Sequence, residues 1–317
     1  IRIQATPQGT FNNRIYCNFM GTTVNGAAAA GNGTNQLSPW AGVNVLADPV
    51  TLGVANSNTV RANLISGNYS EGVSISSCPP ADVSFTFVDS NYIGTDITGM
   101  IDLGNRVNGV YIGEAAHDNM IARNLIAGND TDGVCIVGYV DQSVQWYTPQ
   151  NTVMQNVIGL AVDRMTPLPN GRDGVMIGIY GSAWKLGFAP RNHVWQNLIA
   201  HNGRNGVSVW EHPFNTFNAD NNRISQNSIR HNGALGIDLR IDGVTPNDPG
   251  DPDTDANQLL NVPLLSRATV TAGVDTVSGS IAIDSDPTKA TVEVFIAQPC
   301  AAGSGQGRMF MGSATPD

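Results

Sequence analysis

The sequence predicts an all-β solenoid, in which short strands form coils stacked along one axis, followed by a smaller antiparallel β module. Two observations support this prediction. One motif recurs seven times, with 28 to 45 residues between the starts of successive copies, a spacing typical of solenoids and propellers. Within each copy, aliphatic and polar residues alternate at the two-residue period of a strand, and no helical period is present.

The motif contains two asparagines five residues apart and a later Gly-Val-x-aliphatic segment, which begins Gly-Ile in the last copy. Thr86 replaces the first asparagine of the third copy, and the other copies begin at Asn13, Asn58, Asn119, Asn151, Asn192 and Asn222. The second asparagine is found at Asn18, Asn63, Asn91, Asn124, Asn156, Asn197 and Asn227. The glycine is found at Gly42, Gly72, Gly109, Gly133, Gly174, Gly206 and Gly236. Asparagine and glycine tolerate left-handed backbone conformation, so we expect them at the corners between strands.

Stacking would bring equivalent residues of successive coils into columns. Three aliphatic columns are expected to point inward. The first is Ile15, Val60, Val88, Ile121, Val153, Val194 and Ile224. The second is Met20, Ile65, Ile93, Ile126, Ile158, Ile199 and Ile229, and the third is Val43, Val73, Val110, Val134, Val175, Val207 and Ile237. Each buried side chain contributes roughly 1.5–3 kcal/mol, and the asparagine columns are expected to form amide ladders.

The coils resemble the right-handed parallel β-helix repeats of the pectate-lyase-like superfamily. The segment 91–99, Asn-Tyr-Ile-Gly-Thr-Asp-Ile-Thr-Gly, with Leu-Gly-Asn at 103–105, is similar to a repeat of large secreted bacterial proteins of unassigned activity. Segments 236–239, 242–250 and 261–265 resemble the part that closes such helices. The resemblance implies a β-helix of about seven coils and a secreted or cell-surface bacterial protein. It does not imply one activity, because this superfamily includes lyases, hydrolases, epimerases, adhesins and spacers.

Three regions are expected along the chain. Residues 1–243 form the β-helix, 244–265 form an Asp/Pro-rich closing segment, and 266–317 begin a small antiparallel module. Residues 269–271, 277–283 and 290–296 alternate as strands do. The module is too short for a complete β-sandwich, so we expect the chain to be part of something longer.

Composition restricts the classes of partner. The net charge of −10 argues against nucleic acid. No apolar run approaches the roughly 20 residues of a membrane-spanning helix. The four cysteines lack metal-ligand spacing, which favours unpaired or structural thiols, although a Cys17–Cys78 or Cys78–Cys135 bridge stays open; the fourth is Cys300.

Three copies carry nine additional residues at one corner, between Asn18 and Asn32, Asn91 and Asn105, and Asn156 and Asn170. Their equal lengths predict a two-coil super-repeat. A repeated calcium site would need repeated ligands, whereas Asp96 and Asp102 have no acidic counterparts in the other two copies. We therefore expect a structural role for these insertions.

Aromatic residues are concentrated after the Gly-Val-x-aliphatic strands of the fourth to sixth copies. Stacking would bring these loops to one edge, where exposed aromatic rings suit the apolar faces of sugars. Self-packed loops and an oligomer interface are the alternatives. The candidate carbohydrate-binding residues are Tyr139, Trp146, Tyr147, Tyr180, Trp184, Trp210 and Phe214.

No complete catalytic motif is present. A glycoside hydrolase uses two carboxylates, but the outward strand columns before the second asparagine hold only Asp89, which we expect to pair with Arg61. A polysaccharide lyase needs a base and a cation beside the uronate carboxylate. The candidates for these roles are His212, Lys185, Arg191, Arg204 and Glu211, although a solvated loop histidine is the favoured interpretation of His212.

One dense acidic run lies in the closing segment. Carboxylates at alternate positions can bind a calcium ion, but a polar turn is the alternative because prolines interrupt the run. The candidate ligands are Asp248, Asp251, Asp253 and Asp255. No cofactor other than this possible Ca²⁺ is expected.

These observations predict a β-helix that binds extracellular polysaccharide or matrix, as an adhesin-type module does. An extracellular polyuronide lyase is the alternative, and a purely structural spacer is a third possibility. The sequence does not specify the glycan or the oligomeric state.

Overall fold

The computed structural model describes residues 1–33, 41–47, 50, 52–141, 144–178, 188–210, 219–253, 255–271, 274–284, 286–299 and 305–316. It confirms the all-β parallel β-helix, because three parallel sheets run along the stack of coils. Sheet A contains β1 (Arg2–Gln4), β5 (Val43–Ala47), β9 (Val73–Ser77), β12 (Val110–Gly113), β15 (Val134–Val137), β20 (Val175–Gly178), β23 (Val207–Trp210) and β26 (Ile237–Leu239).

The other two sheets have seven strands each, one from every coil. Sheet B contains β3 (Arg14–Tyr16), β7 (Thr59–Arg61), β10 (Phe87–Asp89), β13 (Met120–Ala122), β18 (Thr152–Met154), β21 (His193–Trp195) and β24 (Arg223–Ser225). Sheet C contains β4 (Phe19–Met20), β8 (Leu64–Ile65), β11 (Tyr92–Ile93), β14 (Leu125–Ile126), β19 (Val157–Ile158), β22 (Leu198–Ala200) and β25 (Ser228–Arg230).

Short strands and hairpins complete the fold. β2 (Thr10–Phe11) pairs with β6 (Ala55–Asn56) in parallel, and β16 (Tyr139–Asp141) forms a hairpin with β17 (Val144–Trp146). Near the C-terminus, β27 (Leu264–Thr271) pairs antiparallel with β28 (Val274–Ser280), and β29 (Val292–Pro299) with β30 (Gly305–Ala314). Two short 3₁₀ helices span Ala256–Leu259 and Pro287–Lys289.

The three predicted aliphatic columns are in register. Ile121 pairs with Val88 and Val153, Ile126 with Ile93 and Ile158, and Val134 with Val110 and Val175. Almost all of these side chains are buried. Ile237 departs from the prediction and is 45 % exposed, because it lies in the last coil, where no further coil covers it.

The predicted asparagine ladders are present. In the second-asparagine column, each side chain donates through Nδ2 to Oδ1 of the next coil, at 3.1 Å from Asn18 to Asn63 and 2.9–3.0 Å from there to Asn227. A further ladder runs from Asn32 to Asn232 at the third corner. Thr86 interrupts the remaining ladder. Buried Asn58 Nδ2 and Thr86 Oγ1 consequently make no hydrogen bond to any described residue.

We predicted that the corner asparagines adopt the left-handed conformation, but the residue one position earlier does so. The left-handed residue precedes the ladder asparagine, and at the second-asparagine corner it is Cys17, Ala62, Ser90, Arg123, Gln155, Gln196 or Gln226, with φ of 53–56°. The asparagine itself is occupied by inward hydrogen bonds. The hydrogen bonds of the ladder therefore stabilise a left-handed backbone conformation that costs a residue other than glycine roughly 1–2 kcal/mol.

The three insertions stack on one another although a short coil lies between each pair. Ile97 N donates to Gly26 O, and Val162 N donates to Gly99 O, both at 3.0 Å. Asp96 accepts hydrogen bonds from Met100 N and Ile101 N of its own loop, both at 3.0 Å. These contacts give the insertions the structural role that their equal lengths predicted.

The C-terminal elements cap the last coil. Asn257 Oδ1 accepts from Asn222 N at 2.9 Å, and Gln306 Oε1 accepts from Asn232 Nδ2 at 3.2 Å. Glu293 accepts from Gln226 N at 2.9 Å. The side-chain amides of Asn257, in the first 3₁₀ helix, and of Gln306, in β30, thus occupy the places that ladder asparagines of an eighth coil would occupy.

Two sequence expectations concern the whole chain. Cys17, Cys78 and Cys135 are free thiols, so neither of the bridges left open forms. Within the described ranges, no helix has the length and apolar character needed to cross a membrane. The boundaries at residues 243 and 265 stay predictions.

Candidate functional site

The outer faces of the three sheets differ in what covers them. On sheet C, the insertions lie over the outward side chains: a Cβ atom placed on Gly26 would lie 2.8 Å from Leu64 Cδ2, and one on Gly99 would lie 3.0 Å from Leu125 Cδ2. Leu64 and Leu125 are consequently buried although they point away from the core. The insertions thus cover part of this face, while Phe19 at its first strand is exposed.

The outer face of sheet B carries a cationic and aromatic surface, here called the arginine face. It consists of outward strand residues and of one corner residue that follows β13. Its members are Arg14, Arg61, Phe87, Asp89, Arg123, His193, Trp195 and Arg223. The four arginines are exposed. In a protein of net charge −10, this face concentrates positive charge.

Asp89 organises the centre of the arginine face. Its side chain is fully buried, and its carboxylate lies 3.2 Å from Arg61 Nε and 2.8 Å from Arg123 Nη2. Arg61 belongs to the coil before Asp89 and Arg123 to the coil after it. The predicted Arg61–Asp89 pair is therefore confirmed, while the second arginine was missed. One carboxylate positions two guanidinium groups, so one positive charge is left in excess.

Aromatic rings lie beside these charges. The Arg123 guanidinium lies 5.6 Å from the centre of the Phe87 ring, within cation–π range. Further along the face, His193 stacks on Trp195 with 5.9 Å between ring centres. Burial, and then the charge of Arg223, lower the pKa of His193, which favours a neutral imidazole in this stack.

An exposed amide row borders the arginine face. Gln155 donates to Gln196 at 3.2 Å, and Gln196 donates to Gln226 at 3.0 Å. These residues occupy the left-handed corner that Arg123 occupies in the fourth coil. The face therefore continues into hydrogen-bonding groups suited to hydroxyls.

The structure describes two of the five predicted catalytic residues. Arg191 is an exposed corner residue before β21, whereas Arg204 donates to Asp173 through Nε at 2.9 Å and also through Nη2. Lys185, Glu211 and His212 lie outside the described residues. Their proposed cooperation stays a prediction.

The predicted aromatic residues are partly described. Tyr147 is 46 % exposed and stacks on Phe188 of the next coil, with 4.9 Å between ring centres. Trp146 and Trp210 are half-buried. The backbone of Tyr139 belongs to β16, and Tyr180, Trp184 and Phe214 lie outside the described residues. The glycan-binding role of this edge stays a prediction.

The acidic run of the closing segment is held by protein hydrogen bonds. Asp251 accepts from Asn261 N at 2.8 Å, and Asp248 N donates to Asn261 Oδ1 at 2.9 Å. Asp255 lies 3.1 Å from Arg240 Nε. In the described part of the chain, no three metal-ligating side chains lie close enough together to bind a metal ion, and this holds for Asp253 as well. Calcium binding stays a prediction.

His117 contacts two carboxylates. Its Nε2 lies 2.9 Å from Asp82 and its Nδ1 lies 2.7 Å from Asp118. Asn56 Nδ2 donates to Asp82 at 2.9 Å. The cluster ties the third coil to the second.

A buried carboxylate pair, Asp132 and Asp173, lies near sheet A in adjacent coils and was also missed. Both side chains are fully buried, and Asp132 Oδ1 accepts from Asp173 N at 3.0 Å. Each precedes the motif glycine, as Asn108 and Asn205 do. The recurrence of a polar residue before the glycine could have predicted this column, but we interpreted the segment as a turn.

No protein-family model matches the chain, and no curated protein matches it. Solved structures similar to it include the periplasmic alginate epimerase AlgG, at 13 % identity over 77 % of this chain and 68 % of that one, with a TM-score of 0.30. The Dettilon tailspike protein is 12 % identical over 89 % and 69 %, with a TM-score of 0.36. The A-module of the Azotobacter vinelandii mannuronan C-5 epimerase AlgE6 is 12 % identical over 72 % and 64 %, with a TM-score of 0.26. TM-scores this low do not extend the activities of these proteins to this chain.

Proposed function

We propose that this protein binds an acidic polysaccharide along the arginine face, as a secreted or cell-surface β-helix. One observation carries the proposal: four exposed arginines share this face with two described carboxylates, both already engaged. Asp89 binds two of the arginines, and Glu293, at the end of the face, accepts hydrogen bonds from Ser225 and Gln226. Guanidinium groups bind carboxylates and sulfates through parallel N–H donors. The face is thus complementary to an anionic chain.

The geometry of the coils suits an extended ligand. Arg61 and Arg123 are two coils apart, which is roughly 10 Å at the usual strand spacing. Phe87 lies between them in the intervening coil, and Trp195 offers a second ring further along. The side chains of Arg61 and Arg123 converge on Asp89 beside Phe87, so charges and rings are distributed along the axis of the helix in groups that a polymer of charged sugars could contact.

The same face gives less support to turnover. Its two described carboxylates, Asp89 in the third coil and Glu293 at the seventh, are about four coils or roughly 19 Å apart at the usual strand spacing, whereas the two carboxylates of a glycosidase lie about 5–9.5 Å apart. His193 is the one described candidate base, and its imidazole is stacked on Trp195. A polyuronide lyase built from the loops of Lys185, Glu211 and His212 is the alternative function.

Affinity for alginate, polygalacturonate and neutral dextran, measured by calorimetry at low and high salt, tests the proposal. We expect binding to the two polyanions, weakening with salt because exposed charges are screened. Arg61→Gln and Arg123→Gln should each lower the affinity roughly tenfold, the loss expected for a hydrogen bond between charged groups.

Arg164→Gln is the matched control, since Arg164 is exposed in the insertion on the sheet C side and should leave the affinity unchanged. Equal binding of dextran, or equal losses from the control and face variants, would contradict the proposal. Ultraviolet absorbance of the same mixtures reports unsaturated product, and its growth would instead establish the lyase.

A further inference from the structure

A fourth polar column lies beside sheet A, independent of the arginine face. It is formed by the residue before each motif glycine. Each glycine N–H donates to the backbone carbonyl of this residue in the next coil, at 2.9–3.1 Å, which places the residues in register. The column contains Ala41, Glu71, Asn108, Asp132, Asp173, Asn205 and Leu235, and five of these seven residues are polar.

The side chains of this column also form a ladder. Asn108 Oδ1 accepts from Asp132 N at 3.2 Å, Asp132 Oδ1 from Asp173 N at 3.0 Å, and Asp173 Oδ1 from Asn205 N at 2.9 Å. Asn205 Oδ1 continues the ladder to Leu235 N at 3.0 Å. An amide and a carboxylate fill this acceptor role equally well.

The two aspartates differ in their second oxygen. Asp173 Oδ2 accepts from Ser208 Oγ at 2.8 Å and from Arg204. Asp132 Oδ2 is buried and accepts no hydrogen bond from any residue that the structure describes. A buried acceptor without a donor is costly, and far more so when it is charged. Only Asp132 therefore has a strong reason to be neutral.

The surroundings of Asp132 reinforce this difference. The charged groups that act on it are Asp173, Arg172 and Arg204, and Arg204 is already bonded to Asp173. Burial, with a further contribution from Asp173, raises the pKa of Asp132 to about 6. Glu71 and the Cys135 thiol belong to the same neighbourhood, since the charges of Asp132 and Glu71 both act on Cys135.

Asp132 lies three residues before Cys135, which belongs to a layer of apolar side chains on the outer side of sheet A. Cys135 and Met176 point away from the core, yet they are buried and pack with Val137 and Tyr111. Opening this layer would admit water to Asp132 and expose Cys135.

We propose that Asp132 is a proton-operated latch: its neutral carboxyl group keeps the layer around Cys135 closed, and ionisation loosens that layer.

The direction and the pH range of the change in the opening equilibrium follow from the difference in the pKa of Asp132 between the closed and the opened state. In the opened state the carboxyl group regains the ordinary value of 3.8, whereas in the closed state its pKa is about 6. The latch is therefore fully closed below about pH 4, loosens as the pH rises to about 6, and changes little above that. A difference of about two pKa units corresponds to a roughly 100-fold change in the opening equilibrium.

The reaction rate of Cys135 with dithiodipyridine tests the latch. The full chain with Cys17→Ser, Cys78→Ser and Cys300→Ser retains Cys135 as its single thiol. Because thiol reactivity itself depends on pH, the rate is divided at each pH by that of the same chain with Asp132→Asn. We expect this ratio to rise roughly 100-fold between about pH 4 and pH 6 and then to level off.

Asn at position 132 is compatible with the column, since Asn108 and Asn205 occupy equivalent positions, and circular dichroism verifies the fold. Amide exchange of β15 in the unaltered chain, corrected for its intrinsic pH dependence, gives a second measurement that should accelerate over the same range. Asp163→Asn, which alters an exposed carboxylate, should not change the profile. A pH-independent ratio, or β15 exchange without acceleration, would overturn the latch.

Discussion

Sheets A and B carry opposite arrangements of the same chemical groups. On sheet B, one buried carboxylate, Asp89, positions two half-exposed guanidinium groups. Beside sheet A lie two buried carboxylates, Asp132 and Asp173, and in the described part of the chain only Asp173 binds a guanidinium, that of Arg204. The first arrangement leaves positive charge facing solvent, which favours an anionic ligand. The second leaves a buried acid without a partner, which favours a proton.

The largest effect is expected from substituting Asp173, the carboxylate beside sheet A whose two oxygens both accept hydrogen bonds. Asp173→Asn takes the charge partner from Arg204, a residue only one third exposed, and weakens the bonds to Ser208 and Asn205. Breaking one side of a buried pair costs about 3–5 kcal/mol. Urea unfolding at neutral pH should show this loss. A change below about 1 kcal/mol would mean that the pair behaves like a surface ion pair.

The neighbouring substitution should have the opposite sign. Asp132→Asn removes a buried charge without a donor, so it should stabilise the protein at pH 7 by up to about 3 kcal/mol, the equivalent of the raised pKa. The gain should shrink as the pH falls and vanish below about pH 3, where the aspartate is protonated in both states. The free energies of unfolding of both proteins at pH 7 and at low pH measure this gain. Destabilisation by Asp132→Asn at pH 7 would contradict the interpretation that Asp132 is a buried acid without a hydrogen-bond donor.

The smallest effect is expected on sheet B. Asp89→Asn leaves Arg61 and Arg123 without their carboxylate, but their side chains are 56 % and 49 % exposed and regain water. We expect a loss of about 1–2 kcal/mol, smaller than that of Asp173→Asn measured in the same urea series. If the two losses were equal, exposure of the guanidinium would not be what distinguishes the two faces.

The sequence was most informative where the repeat is regular. The aliphatic columns, the amide ladders and the Arg61–Asp89 pair were predicted because equal spacing places residues in register. Arg123 was missed because it occupies a corner just after β13, outside the strand columns. The Asp132–Asp173 pair was missed because a polar residue before glycine is also typical of a turn, and burial is not visible in spacing.

Loop content was the least predictable part. Most of the aromatic candidates lie after β15, β20 and β23, outside the recurring motif, so its spacing did not relate them. In the described part, Tyr147 stacks on Phe188 of the next coil. The acidic run resembled a calcium loop by composition alone. In the structure, Asn261 and Arg240 bind its oxygens and backbone, which spacing between acidic residues does not reveal.

Asn257 and Gln306, the amides that close the last coil, have a consequence for assembly. A stack of coils ends in unpaired strand edges, which readily recruit another chain and begin a fibre. Here two ladder ends receive their hydrogen bonds from elsewhere in the same polypeptide. These two corners of the last coil are thereby closed within one molecule, which makes them poorer templates for recruiting another chain.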